Sequence, residues 1–115
     1  MNLNKLSISQ KKVYKKYFSS KKISDLKNLS TKEKKLIFKR AFVDFQNDKI
    51  SFDEFCFIAG NMTIYPSKKT DNFDDELFFL LANTCEMKYY IKRPEHVGLY
   101  KKTLEDLFKY FELKE

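Results

Sequence analysis

Glycine and proline are scarce, with two of each in 115 residues; tryptophan is absent and histidine occurs once. Turn-rich β architectures draw heavily on Gly and Pro, so their shortage points away from a sandwich or barrel. Gly60 and Gly98 alone cannot build a glycine-rich phosphate loop. A protein zinc site needs four soft or imidazole ligands, or three and a water, and His96 with the distant Cys56 and Cys85 does not supply them. The two cysteines show no framework spacing and sit inside apolar runs, which suits buried thiols in a reducing compartment. Apolar runs such as residues 77–82 fall far short of the roughly 20 residues a membrane span requires. Residues 1–10 lack the apolar core of a signal peptide. The expected setting is cytoplasmic, for a chain needing neither metal nor other cofactor.

What is abundant is phenylalanine, at 12 residues, together with 7 tyrosines and 34% charged residues. Residues 1–40 carry 13 Lys/Arg against 2 acids, residues 41–86 carry 3 against 9, and residues 87–115 carry 7 against 5. A basic end therefore precedes an acidic middle, which gives the chain two electrostatic faces to offer.

Apolar residues recur at helical spacing throughout, and β-alternation does not persist. Leu6, Val13, Tyr14, Tyr17 and Phe18 predict an amphipathic helix over about 7–19, and Ile23, Leu26 and Leu29 a further turn or two. Ser30-Thr31-Lys32-Glu33 has the form of a capping box, opening a helix that buries Ile37, Phe38, Ala41, Phe42 and Phe45. Gln46-Asn47-Asp48 stops it by competing for backbone hydrogen bonds. Ser51-Phe52-Asp53-Glu54 repeats the box before a helix with Phe52, Phe55, Cys56, Ala59 and Met62 on one face, and Gly60-Asn61 reads as its end. Asp71 or Asn72 is placed to cap the next helix, with Asp74, Asp75 and Glu76 favoured at its positive end. Phe73, Leu77, Leu80, Thr84 and Met87 form its buried stripe. Arg93-Pro94 marks a boundary, and Val97, Tyr100, Leu104, Leu107, Phe108 and Phe111 define a last helix. The expectation is a single all-α domain over 1–115, an antiparallel four-helix bundle with an additional N-terminal helix or turn.

The phrase Asp48 to Phe55 looks like the second half of a calcium-binding EF-hand loop, with Ile50 at the eighth position and Glu54 at the twelfth. That register puts Val43 and Phe45 where oxygen ligands belong and Asp48 where the sharp turn takes Gly. Calcium is rejected on ligand chemistry, and the capping box explains the same letters. A Cys–His nucleophile would need His96 to meet Cys56 or Cys85, whereas its place after Pro94-Glu95 fits an exposed cap. The paired carboxylates at 53–54 and 74–76 stand at helix starts, where the helix dipole accounts for them. The chain is read as a binding protein, not an enzyme.

Two binding surfaces suggest themselves. Lys11, Lys12, Lys15, Lys16, Lys21 and Lys22, with Tyr14, Tyr17 and Phe18 among them, raise a small basic nucleic-acid-binding protein as one reading. Against it, Arg40 is the one arginine in the basic third, and those aromatics fall on the apolar stripe. In the acidic middle, Asp75, Phe79, Ala82, Glu86 and Tyr89 or Tyr90 follow at spacings of 3 and 4 beside the buried stripe. Acids mixed with exposed aromatics are the composition of a protein-binding hot spot.

Four short elements then resemble the immunity proteins of the colicin D type: Asp48-Lys49-Ile50-Ser51 with Asp53-Glu54-Phe55, Glu76-Leu77-Phe78, Arg93-Pro94-Glu95, and Leu104-Glu105-Asp106-Leu107-Phe108. The resemblance covers about residues 38–113. It implies a small helical bundle that neutralises a tRNA-cleaving bacterial toxin by binding its active-site domain with acidic groups in place of RNA phosphates. The expected contact residues are Asp71, Asp74, Asp75, Phe79, Glu86 and Tyr89.

Overall fold

The structure, a computed structural model, describes residues 6–18, 26, 29–63 and 75–112. Among the described residues, five α-helices occur in chain order: α1 (Ile8–Phe18), α2 (Thr31–Gln46), α3 (Phe52–Asn61), α4 (Asp75–Tyr90) and α5 (Val97–Tyr110). A 3-10 turn, Pro94–His96, leads into α5, and there is no strand among the described residues. The fold is all-α.

Three of the helices start in the same way. In α2 the Ser30 hydroxyl accepts from the Glu33 amide at 3.1 Å while the Glu33 carboxylate faces the Ser30 amide. In α3 the Ser51 hydroxyl accepts from the Glu54 amide at 3.1 Å, and Glu54 Oε1 accepts from the Ser51 amide at 2.7 Å. Ser7 and Gln10 make the same reciprocal pair at the head of α1, with both bonds at 3.1 Å. Each box satisfies amides that the first helical turn leaves without partners.

The stop after α2 is equally local. The Asp48 amide donates to the Phe45 carbonyl and the Lys49 amide to the Asp44 carbonyl at 2.8 Å, with Asp48 in the left-handed region at φ 59°. This is a Schellman motif, in which the residue usually filled by Gly is an Asp. It aims α3 back across α2. Phe45, which the calcium register would need as a ligand, stacks instead on Phe55 with ring centroids 5.1 Å apart.

The core is a phenylalanine cluster. Phe38, Phe42 and Phe55 are fully buried. Phe38 meets Phe55 and Phe111, and Phe42 meets Phe108 edge-on at 5.0 Å, so α2, α3 and α5 share one aromatic seam. Such pairs add to area burial because ring edges are positive and faces negative. On α4 the buried side chains are Leu77, Leu80, Leu81, Thr84 and Met87, which includes the expected stripe except for Phe73, outside the described residues. α3 packs most extensively against α4 and also touches α1 and α2.

The α3–α4 approach adds a packing role for Gly60 to its expected place at the helix end. α3 ends at Asn61, as Gly60-Asn61 predicts. A Cβ built on Gly60 would lie 2.9 Å from the Cys85 sulfur, so the glycine is where α4 comes closest. The expectation for His96 holds for its position at the head of α5 and not for a capping bond. It occupies the N-cap position of α5 without a side-chain capping bond, and its ring lies 6.0 Å from that of Tyr90.

Candidate protein-binding surface

Apolar residues occur on every side of α4, although only one side meets the core. The expected stripe is resolved as follows. Asp71 and Asp74 lie outside the described residues; Asp75 is the first residue of α4, and its side chain is outside them too. Phe79, Glu86 and Tyr89 are all exposed, Phe79 at 64% and Tyr89 at 61%. Ten residues of helix put the two aromatics about 15 Å apart along the axis. They mark the two ends of one outward surface and do not form a single contact.

Around Phe79, the ring of Phe78 stands edge-on at 6.3 Å and half-buries itself beside it. Glu76 is exposed one turn earlier. At the far end Glu86 Oε2 accepts from the Tyr90 hydroxyl at 2.7 Å. That bond, with burial and the nearby negative charge, raises the Tyr90 phenol above its ordinary value, so it stays a donor at neutral pH. The Lys88 ammonium lies 5.3 Å from the Tyr89 ring centroid. Just beyond, Ile91 and Leu99 are large exposed apolar residues that periodicity did not single out. They flank the corner where α4 gives way to α5, and a stripe read along one helix cannot include them.

A cavity of about 500 Å³ opens between α1, α3 and α4, lined by Gln10, Asp53, Cys56, Gly60, Cys85 and Lys88 among others. Both cysteines are free. Burial pushes the Cys56 thiol up to about 12 and also raises Cys85. Thiolate character, which nucleophilic chemistry requires, is therefore suppressed at both.

The basic surface separates into two parts. Lys11, Lys12, Lys15 and Lys16 are exposed on α1, while Tyr14, Tyr17 and Phe18 are buried on its other side. Lys21 and Lys22 lie outside the described residues. The aromatics are thus unavailable to stack on bases, leaving lysines without a stacking platform.

No family model, curated protein or solved structure matches the chain.

Proposed function

We propose that this chain is a stoichiometric inhibitor that lays the outward surface of α4 against a basic protein partner. The partner implied by the sequence resemblance is the active-site domain of a colicin D-type tRNA nuclease. The observation that carries the reading is Phe79, a large ring left 64% exposed on a helix with apolar residues on every side. An exposed aromatic flanked by the carboxylates of Glu76 and Glu86 is the arrangement that desolvates on binding a complementary surface.

The mechanism follows from what a tRNA nuclease must possess. A cleft that binds phosphates presents lysines and arginines, and carboxylates compete for the same groups. The acidic middle of the chain, net −6 over residues 41–86, steers the encounter despite the overall charge of +7. Phe79 and Tyr89 then exclude water, and inhibition follows from occupancy with no chemical step in this protein.

Titration of a purified nuclease domain of that type by calorimetry, with tRNA cleavage measured in parallel, tests the reading. A one-to-one complex that abolishes cleavage is expected. Phe79→Ala should weaken it by roughly 30-fold, the scale of a hot-spot aromatic, with helicity unchanged. Full cleavage at equimolar protein with no heat of binding would remove the toxin from consideration.

A further inference from the structure

The outer surfaces of α1 and α2 carry a second feature that α4 does not explain. α1 has four lysines, all exposed, and no acid. α2 exposes Lys32, Lys35, Lys39 and Arg40, against carboxylates at Glu33 and Asp44. At 3.6 residues per turn each set covers an arc of about 140°. The two arcs meet at Tyr17, where Lys16 Nζ lies 5.4 Å and the Arg40 guanidinium carbon 5.2 Å from the same ring centroid. Within the arcs stand two large exposed aliphatic side chains. Ile8 is 88% exposed among the α1 lysines, and Leu36 is 60% exposed among the α2 cations.

We propose that this α1–α2 face docks on an anionic lipid surface, with the lysines over the headgroups and Ile8 and Leu36 entering the interface. Charge complementarity calls for a polyanion, and the two apolar residues decide which one. A large aliphatic side chain at the centre of a cation arc gains little against a phosphate backbone in water, but removes its apolar area from water in a bilayer. The rings that would serve a nucleic acid by stacking are in the core. No described helix is long and apolar enough to cross a membrane, so the attachment is peripheral.

The test is co-sedimentation of the full chain with vesicles of phosphatidylcholine, alone or with one part in three phosphatidylglycerol. Binding is expected to the anionic vesicles only, and to be lost as salt is raised from about 0.05 to about 0.5 M. Lys15→Gln with Lys39→Gln should reduce partitioning about fivefold per lysine. Ile8→Ser with Leu36→Ser should reduce it about tenfold. All four positions are exposed, so each variant should keep the parent's helicity by circular dichroism. Phe79→Ala should bind vesicles as the parent does, which separates this face from the α4 reading. No retention on anionic vesicles at low salt overturns the proposal. So does binding that is equal on neutral vesicles, or a preference for duplex RNA that the Ile8/Leu36 variant leaves intact.

Discussion

The Tyr17 hydroxyl on α1 donates to the Asp44 carboxylate on α2, and the same oxygen lies 3.5 Å from Lys16 Nζ. Burial alone would raise the Asp44 carboxyl, but the Tyr17 bond and the Lys16 charge outweigh it and hold the group below its ordinary value. Burial and the same bond raise the Tyr17 phenol. A depressed carboxyl contributes stability above its unfolded-state value, near 4, and loses it as pH falls through the lower folded value. A raised phenol contributes below about 10 and loses it as pH rises beyond. Urea unfolding across pH should therefore show an acid limb that Asp44→Asn flattens and an alkaline limb that Tyr17→Phe flattens. Tyr17→Phe should also cost about 2 kcal/mol at neutral pH, the scale of a hydrogen bond to a charged acceptor.

Gly60 and Cys85 should be energetically coupled. A methyl added to Gly60 meets the Cys85 sulfur at 2.9 Å, so Gly60→Ala forces α3 and α4 apart or turns the thiol away. The expected cost is about 1–3 kcal/mol. In a Cys85→Ala background the obstruction is gone, and the same substitution should cost little. A double-mutant cycle with no coupling would show that the contact imposes no constraint.

Thr84 is fully buried, and its hydroxyl has no hydrogen-bond partner among the described residues. Valine has nearly the same shape without a hydroxyl to desolvate. Thr84→Val should raise stability by about 1 kcal/mol in urea unfolding.

Asp48 occupies a left-handed position at φ 59°. Only glycine adopts that region without steric cost, so Asp48→Gly should stabilise the fold by about 0.5–1 kcal/mol. A fall in the urea midpoint would instead mean that the Asp48 side chain contributes more than its backbone costs.

The α4 reading makes a kinetic prediction separate from affinity. Reversing Glu76 and Glu86 to Lys should slow association with a basic nuclease domain about tenfold at low salt, and the difference should shrink as salt rises. Stopped-flow association at two ionic strengths measures it. Equal rates at both would rule out steering by these carboxylates.

Much of this molecule is legible because its helices announce themselves locally. Ser30 with Glu33 and Ser51 with Glu54 are read directly as boxes, and the spacing of Phe38, Phe42 and Phe55 gives the core. Ser7 with Gln10 follows the same grammar less visibly, since Gln replaces Glu amid lysines. Phe79, Glu86 and Tyr89 read as outward because the neighbouring stripe so clearly faces inward. The role of Asp44 is not legible, since on its own helix it is an ordinary polar residue and its partner Tyr17 is 27 positions away. The close packing at Gly60 is not legible for the same reason, because its partner Cys85 belongs to another helix. Ile91 and Leu99 escaped because the helical period breaks at Pro94 between them.

Glu54 spends its two oxygens in different places. Oε1 closes the box at the head of α3, and Oε2 accepts from the Ser9 hydroxyl on α1 at 2.9 Å. Hydrogen bonds from Ser51 and Ser9, with Lys12 nearby, keep the carboxyl below its ordinary value against the effect of burial. The first turns of α1 and α3, distant in sequence, consequently share an anchor. The lysine-bearing α1 is therefore tied at its first turn to the helix at the centre of the fold, and hydrogen exchange should show the two helix starts opening together.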